Sequence, residues 1–310
     1  MSARPCPVCG SPRTTRDPFY YHWLDRDWHI ARCRACTHQF VDPPVGPAEQ
    51  ARIYSDAYFA AGGDWGGGVF TASYAATEDK LRAEAREVLA MLPAPRPGAR
   101  LLDIGCAGGV FLNEAQRAGY TVTGIEPNRR QAIYATRVHG IPVLNAQLED
   151  THASWWPGEF SAVTLLDVLE HVPDPLGALT KIAQWLAPGG TIFIRGPLHD
   201  DRLARFKEFV RRTLRIRHRL PGYPLDANHF NPRSMQTLLT GAGFGSLHWH
   251  GTRTAHFANL SAVKRPRIAV ALPVDELAAD HPGHGRSKSP PRRRRSRSPR
   301  PLRLPRSGRA

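Results

Sequence analysis

The chain has 310 residues, of which 41% are apolar, and its 42 lysines and arginines outnumber its 27 acidic side chains. That apolar share is sufficient for a packed core of ordinary size and excludes a chain that is disordered throughout. No apolar run approaches 18 residues, so the sequence predicts no transmembrane helix. The formal net charge of +15 is uneven, because the final 30 residues hold eleven of the basic side chains and no acid.

Two short cysteine pairs lie near the start of the chain. Cys6 and Cys9 form one CxxC pair, Cys33 and Cys36 form the other, and 23 residues separate the pairs. Each pair can present two thiolates from one tight turn, and two such turns complete a closed tetrahedral zinc site with a structural role. Disulfides are the alternative. We expect a reducing, cytoplasmic setting instead, because no hydrophobic signal region precedes the first cysteine.

The first two segments of the chain follow from these cysteines. Residues 1–42 are predicted to form a zinc ribbon, in which metal binding lets a short segment fold without a large core. His38 lies two residues beyond Cys36 and is a spare ligand that four thiolates make unnecessary. Residues 43–76 are expected to be a linker and substrate-side segment, rich in proline at its start and in glycine near its end.

The segment LLDIGCAGGVFLNEAQRAGYTVTGIEPN, residues 101–128, predicts a strand, a glycine turn, a helix and a second strand followed by an acid. This arrangement puts bare backbone at the carboxyl edge of a parallel sheet, where α/β folds bind nucleotide-like ligands. Glu126 follows the second strand, and its carboxylate can accept hydrogen bonds from both hydroxyls of a ribose. The sequence therefore predicts a ligand that carries a free ribose.

The glycine spacing argues against a dinucleotide as that ligand. A GxGxxG fingerprint that starts at Gly105 needs glycine at 107 and glycine or alanine at 110, but the chain has Ala107 and Val110 there. With Asp103 two residues ahead, the segment instead resembles the DxGxGxG motif of class I S-adenosylmethionine (SAM) methyltransferases, with Ala107 in place of the middle glycine. The resemblance implies a Rossmann-like α/β sheet with helices on both faces, and SAM as the cofactor.

Further motifs follow in the family's order over about a hundred residues. VLNAQLE, 143–149, resembles the segment that contacts adenine, and FSAVTLLDVLEHVPDP, 160–175, resembles the fourth strand and its following turn, with Ser161 replacing the usual aspartate. LTKIAQWLAPGGTIFIRGP, 179–197, resembles the next helix, its stop and the fifth strand. The resemblance implies cofactor contacts at Asp103, Gly105, Cys106, Ala107, Gly109, Glu126, Leu148, Glu149 and Asp167.

The candidate catalytic residues are His171, Glu170 and His229. His171 is the candidate base, because an imidazole titrates near neutral pH, and the alternative is that it only shapes the pocket. Together with Asp167, these three residues resemble the metal site of ubiquinone-pathway and small-RNA 3′-end O-methyltransferases. The first residue of that site is glutamate in those families and Asp167, one methylene shorter, in this chain, so a catalytic metal is an alternative and not part of the prediction.

The ribbon followed by FVDPPVGPAEQARIYSDAYFA, 40–60, is similar to a bacterial group of class I methyltransferases with an N-terminal zinc ribbon. The resemblance implies methyl transfer to a small molecule or a glycan intermediate, with oxygen as the expected acceptor atom. The methyltransferase core is expected at 77–275. Within it, an insertion at 200–226 is placed to cap the acceptor site, and apolar side chains recur in it at helical spacing: Leu203, Phe206, Val210 and Leu214.

Two other functions stay open. An RNA methyltransferase would suit the basic end of the chain, although the ribbon lacks the Cys-x-x-x-His half of ribbon-bearing rRNA methyltransferases, and no NPPY-type motif follows the fourth strand. A SAM-binding protein without catalytic activity is the other. Residues 276–310 are rich in Arg, Ser and Pro and are expected to be a disordered tail that contacts polyanions through charge or has no role. The sequence does not indicate an oligomeric state.

Overall fold

The computed structural model describes residues 3–53, 74–199, 210, 213–214, 217–251 and 257–266. The predicted tail, the glycine-rich end of the linker and most of the predicted cap helix lie outside the described residues. In chain order, the strands and helices are β1 (Thr14–Trp23), β2 (Arg26–Cys33), β3 (Gln39–Asp42), α1 (Pro47–Ile53), α2 (Tyr74–Met91), β4 (Arg100–Ile104), α3 (Val110–Arg117), β5 (Thr121–Ile125), α4 (Arg129–His139), β6 (Val143–Leu144), β7 (Phe160–Leu166), α5 (Pro175–Trp185), β8 (Leu186–Pro197), β9 (His218–Leu220), β10 (Asn228–His229), α6 (Pro232–Gly241), β11 (Phe244–Trp249) and β12 (Phe257–Lys264). Two short 3-10 helices lie at Ala153–Trp155 and Leu169–His171.

The larger sheet has seven strands in the order β11-β12-β8-β7-β4-β5-β6. The run from β8 to β6 is parallel, whereas β12 is antiparallel to both β8 and β11. The strand order reverses direction at β4, and open α/β sheets bind ligands at the carboxyl ends of the strands beside such a point. The predicted Rossmann-like α/β fold is confirmed.

The central strands of this sheet are apolar on both faces, as parallel strands covered by helices on each side require. In β4, successive side chains point to opposite faces. Leu101 joins a cluster with α2 and α3, and Leu102 joins a cluster with α5 and α6. The two clusters form the core, and they fix the sheet edge that carries the glycine turn.

Helix α6 starts at Pro232 and ends at Gly241. Asn231 caps it: its side chain accepts a hydrogen bond from the Ser234 amide, and the Ser234 hydroxyl accepts one from the Asn231 amide. This reciprocal pair satisfies amides that the first helical turn leaves unpaired, so it sets the helix start.

The smaller sheet has the strand order β10-β3-β2-β1-β9. Strands β1 to β3 come from the predicted ribbon, but β9 and β10 come from the chain some 180 residues later and pair with β1 and β3 at the two edges. The ribbon is therefore not a separate N-terminal unit, since its sheet is completed by the segment that follows β8. Its own apolar cluster includes Phe19, Trp28 and Ile30, against which Tyr223 and Leu225 pack.

No helix in the described ranges combines the length and apolar character needed to cross a membrane.

Candidate active site and cysteine cluster

The glycine turn after β4 has three residues in the left-handed backbone region. Gly105 has φ +72°, Ala107 has φ +46° and Gly109 has φ +81°. A Cβ atom on Gly105 would lie 2.5 Å from a methyl of Val168, so glycine is required there for space as well as for conformation. Ala107 occupies the place of the family's middle glycine and adopts a conformation that costs an alanine about 1–2 kcal/mol.

Glu126 joins this turn to the start of α4. One carboxylate oxygen accepts a hydrogen bond from the Ala107 amide at 2.8 Å, and the other accepts one from the Asn128 amide at 2.7 Å. Each oxygen keeps a further lone pair that a ribose hydroxyl can use. Burial raises the pKa of Glu126 to about 7, and the two amides oppose that shift by stabilising the charged form.

Asp103 lies beneath the turn and is almost fully buried. Its carboxylate accepts a hydrogen bond of 2.6 Å from the Thr164 hydroxyl of the neighbouring strand β7. Burial raises the pKa of Asp103 to about 7, and the Thr164 bond opposes the rise. Two acidic side chains with raised pKa values therefore lie at the same sheet edge.

A cavity of about 320 Å³ opens at this edge. Its size falls within the range of small-molecule and cofactor sites. Most of the predicted site residues line it: Asp103, Gly105, Cys106, Ala107, Glu126, Leu148, Glu149, Asp167 and His171.

Three predicted residues are not among those that line this cavity. Gly109 caps α3, where a Cβ atom would lie 2.9 Å from that of Ala135, so its place in the structure is a close helix contact. Glu170 lines a separate small cavity next to Gly196, because the 3-10 turn after β7 directs successive side chains to different sides. His229 is half-buried in β10, with its ring 4.6 Å from that of His199.

Other cavity residues were not predicted from the sequence. They include Gln50 of α1, Glu84 of α2 and Arg195 of β8. Arg195 binds the Asp167 carboxylate at 2.6 Å and lies 3.9 Å from Glu84. Asp167 has a left-handed φ of +59°, and its amide donates to the Arg195 carbonyl at 2.8 Å. Helical spacing places Glu84 on α2, but no local pattern indicates that this face of α2 meets the end of β8.

His171 is held from the segment that leads into β10. Its Nδ1 atom lies 3.1 Å from the Leu225 carbonyl and 3.4 Å from the Asp226 carboxylate. A carbonyl only accepts hydrogen bonds, so Nδ1 carries the hydrogen and the lone pair of the neutral ring is on Nε2. Burial lowers the pKa of His171, and the Asp226 carboxylate opposes that shift. The ring is therefore neutral at pH 7.

The alternative catalytic metal site is not assembled. Within the described ranges, a search for three or more histidine, cysteine or acidic side chains placed to share a metal ion finds one group, the four N-terminal cysteines. No such group is formed by the four residues of the predicted alternative, which are Asp167, Glu170, His171 and His229.

The four cysteines meet the geometry of a zinc site. Their sulfur atoms all lie within 4.8 Å of one another, and the Sγ atoms of Cys6 and Cys36, and of Cys9 and Cys33, are 3.6 Å apart. A tetrahedron with Zn–S bonds of about 2.3 Å has edges of about 3.8 Å, so the thiols fit zinc. A hydrogen bond from Cys36 lowers the pKa of Cys6 to about 5.

The backbone around the cysteines also favours a metal. The residue after each second cysteine, Gly10 or Thr37, is left-handed, and the Gly10 and Thr37 amides bond back to the carbonyls of Cys6 and Cys33. The Ala35 amide donates to the Cys33 sulfur at 3.3 Å. These bonds stabilise a compact turn at each pair, which is the arrangement that presents two thiolates together.

Comparison with known proteins identifies the domain. A family model described as a methyltransferase domain matches residues 76–248, which is more than half of the chain. The matched range includes the seven-stranded sheet up to β11 and the residues of the cavity from α2 onward.

Curated relatives include proteins named ubiquinone biosynthesis O-methyltransferase. The one from Aeromonas salmonicida is 39% identical over 102 residues, which cover 31% of this chain and 42% of that protein. The one from Xanthomonas campestris pv. campestris is 39% identical over 103 residues, which cover 32% of this chain and 43% of that protein. The chain thus matches less than half the length of these relatives.

Solved methyltransferase structures align with lower identity. 1,6-Didemethyltoxoflavin-N1-methyltransferase from Burkholderia thailandensis, with bound 1,6-didemethyltoxoflavin and S-adenosylhomocysteine, has a TM-score of 0.49 and 20% identity, covering 79% of this chain and 98% of that chain. An S-adenosylmethionine-dependent methyltransferase from Mesorhizobium loti has a TM-score of 0.44 and 19% identity, covering 59% and 98%. By the family match over more than half its length, the chain belongs to the methyltransferase domain family and carries a class I SAM-dependent methyltransferase domain.

Proposed function

We propose that the protein transfers the methyl group of SAM to a hydroxyl oxygen of a small molecule or glycan intermediate, with His171 as the base. The observation that carries this proposal is the Nδ1 contact to the Leu225 carbonyl at 3.1 Å, because it assigns the basic lone pair to Nε2 of a residue that lines the cavity. Nε2 lies 4.0 Å from the Glu170 carboxylate. The oxygen preference is also supported by the names of the relatives from Aeromonas and Xanthomonas.

The cofactor half of the proposal depends on Glu126. We propose that its carboxylate accepts hydrogen bonds from the ribose hydroxyls of SAM while the amides of Ala107 and Asn128 hold it in place. Leu148 and Glu149 follow β6 on the same cavity wall and are proposed to flank the adenine. Bound SAM supplies an electrophilic methyl group, so the protein has to position an acceptor and remove its proton.

Proton removal is the part that His171 performs in this proposal. The acceptor hydroxyl gives its proton to Nε2 as its oxygen forms the new bond to the methyl carbon, and the bond from that carbon to sulfur breaks. The imidazolium that results is stabilised by Asp226, whose carboxylate lies 3.4 Å from Nδ1. Because burial lowers the pKa of His171, turnover should persist to mildly acidic pH and fall when the ring becomes protonated.

The proposal is tested by turnover with defined acceptors. The full chain is incubated with SAM carrying a labelled methyl group and a panel of phenols, catechols and sugar phosphates, and the label in the organic product is counted. We expect His171→Gln to lower kcat by about 10²–10⁴-fold, which is the contribution of a positioned general base. His152→Gln, a histidine outside the cavity, is the matched control and should retain wild-type kcat. Wild-type kcat in His171→Gln would refute the base.

An RNA acceptor is a separate outcome of the same experiments. Total RNA replaces the small acceptors, and the full chain is compared with a chain that lacks residues 281–310 at two salt concentrations. For a small-molecule acceptor, the truncation should leave turnover unchanged at both. For RNA, the truncation should raise KM strongly at low salt and less at high salt, because phosphate contacts by basic residues are screened.

The ribbon cysteines are proposed to hold one structural zinc ion. With all four positions filled by Cys6, Cys9, Cys33 and Cys36, the ion has no open position for substrate, so it stabilises the fold and takes no chemical part.

A further inference from the structure

The residues 225–229 lie between the ribbon and the turn that carries His171. On one side, β10 pairs with β3, so that Asn228 is opposite Phe40, and the Val41 amide donates to the Ala227 carbonyl at 3.0 Å. On the other side, the Leu225 carbonyl accepts from His171. This segment therefore links the ribbon sheet to the proposed base through hydrogen bonds.

The Asn228 side chain fixes the backbone on both sides of His171. Its amide nitrogen donates to the Val172 carbonyl at 2.6 Å and reaches the Glu170 carbonyl at 3.5 Å. Asn228 is 1% exposed, so no bulk water is available to replace these contacts. A buried amide that binds both neighbours of one residue restricts where that residue's side chain can point.

A ribbon residue orients this amide. His38 Nε2 lies 3.0 Å from the Asn228 side-chain oxygen, and His38 is fully buried. Because the Asn228 nitrogen donates to carbonyls, its oxygen is the acceptor, and His38 Nε2 must therefore carry the hydrogen. The His38 ring lies near the rings of Phe40 and Phe230, with centroids at 5.9 and 5.0 Å, which limit its rotation.

We propose that His38 is a positioning residue for His171: through Asn228 it sets the orientation and the Nδ1–H tautomer of the imidazole from the zinc ribbon. His38 follows Cys36 by two residues, and its carbonyl accepts from the Cys33 amide at 2.8 Å, so the turn that presents the thiols also places the imidazole. The spare ligand candidate of the sequence thus has another use. The catalytic meaning of this inference rests on the proposed function, but the contact itself can be measured without turnover.

The test is nitrogen NMR of the histidine side chains in the full, zinc-loaded chain, where protonated and unprotonated ring nitrogens resonate far apart. His171 is assigned by the resonance that is lost in His171→Gln. We expect the Nδ1–H tautomer alone in the wild type. His38→Phe keeps a ring of similar shape and removes the donor, and we expect at least a third of His171 to change tautomer. His38→Gln restores a donor at the place of Nε2 and should recover the wild-type spectrum.

Controls separate positioning from stability. The Arg233 side chain of α6 donates a hydrogen bond to the Ala35 carbonyl of the ribbon at 3.0 Å. Arg233→Met removes this bond and should leave the His171 resonances unchanged. Asn228→Ser is the second variant and should give the same tautomer change as His38→Phe. An unchanged His171 spectrum in both variants would overturn the proposal, and so would loss of zinc or unfolding in both, which would assign the contacts to stability alone. Wild-type kcat in His171→Gln with the expected spectra would reject the base while leaving the coupling intact.

Discussion

The two walls of the cavity are built in different ways. The cofactor wall, formed by residues 101–128, is one continuous stretch in which β4, the glycine turn, α3 and β5 follow each other. The ribbon-side wall comprises Gln50 of α1 and His171, and the His171 ring contacts Leu225. Its parts are separated by more than a hundred residues and meet through β10 and β3.

This difference has a physical consequence. The cofactor wall depends on local backbone geometry and on a core that is buried from both faces, so single side chains there should act on SAM affinity. The ribbon-side wall depends on a small sheet whose cysteines fit a metal and pack, with Phe40, into the main core. Loss of the metal should therefore remove one wall and spare most of the other.

The largest effect is expected from the cysteines. Cys6→Ser combined with Cys33→Ser should abolish zinc binding, which is worth about 10–16 kcal/mol in small zinc domains, and should lower the melting temperature of the chain. We expect methyl transfer to be lost while SAM still binds, since the proposed cofactor contacts of residues 101–128 do not use the cysteines. Zinc content by mass spectrometry, thermal unfolding, turnover of labelled SAM and calorimetry with SAM measure the four properties.

Cys106→Ala is the matched control for this prediction. Cys106 is also buried, but it lies in the glycine turn against β5 and is outside the cysteine group. It should keep one zinc ion per chain. If the double variant keeps its zinc, the four cysteines do not hold the ion. If SAM binding fails as completely as methyl transfer, the two walls are not independent.

The next effect concerns Glu126. Glu126→Ala should weaken SAM binding by more than tenfold, because charge-assisted hydrogen bonds to the ribose of about 1.5–3 kcal/mol are lost. Glu126→Gln keeps the shape of the side chain, and its affinity for SAM should lie between those of the wild type and of Glu126→Ala. Calorimetric titration with SAM measures both, and wild-type affinity in Glu126→Ala would remove this residue from the cofactor wall. Zinc content should be unchanged in either variant.

The pH dependence of SAM binding is a second test of the proposed contact between Glu126 and the ribose. Burial raises the pKa of Glu126 to about 7 in the cofactor-free protein, and ribose hydroxyls donate to the charged form. Affinity is therefore complete above pH 7 and falls as the pH decreases through 7, by about tenfold for each pH unit below it. Calorimetry from pH 8 to pH 6 tests this, and Glu126→Gln should remove most of the slope.

The stability of the cofactor-free protein should change in the opposite direction. The folded state binds the Glu126 proton more tightly than the unfolded state, whose ordinary value is 4.5. The Glu126 contribution to the free energy of unfolding should therefore decrease as the pH rises from about 4.5 to 7, and Asp103, whose pKa is also raised to about 7, contributes in the same direction. Urea unfolding of the wild type and of Glu126→Gln at several pH values without SAM measures it, and the same pH slope in both proteins would contradict the buried, protonated carboxyl of Glu126.

The smallest effect is expected at Ala107. Its left-handed φ of +46° costs an alanine about 1–2 kcal/mol, whereas glycine adopts it freely at an entropic cost of about 0.5–1 kcal/mol. Ala107→Gly should therefore stabilise the protein by at most about 1 kcal/mol. Ala115→Gly, inside α3, should destabilise it by about 1 kcal/mol or more. Equal shifts of the melting temperature in the two variants would contradict the strain at Ala107.

The sequence locates the cofactor-wall residues that line the cavity, whereas on the ribbon-side wall it locates His171 but not Gln50. Glu126 and the turn at Gly105 can be located because their contacts are formed by neighbours within one strand-turn-helix unit. Gln50 and Arg195 cannot be located in this way, since each lines the cavity through packing between elements distant in the chain. The placement of Glu170 could not be predicted either, because residue spacing does not reveal which way a short 3-10 turn directs each side chain.

The smaller sheet, which combines strands from two distant parts of the chain, also has a consequence for synthesis on the ribosome. Strands β1 to β3 emerge first, and β9 and β10 follow only after most of the methyltransferase sheet has been made. At about 5–20 residues per second, both edges of the early three-stranded sheet stay unpaired for roughly ten seconds or more. Zinc bound to the four cysteines would hold those strands in register during that interval. The metal therefore has a use in the nascent chain before any acceptor can bind.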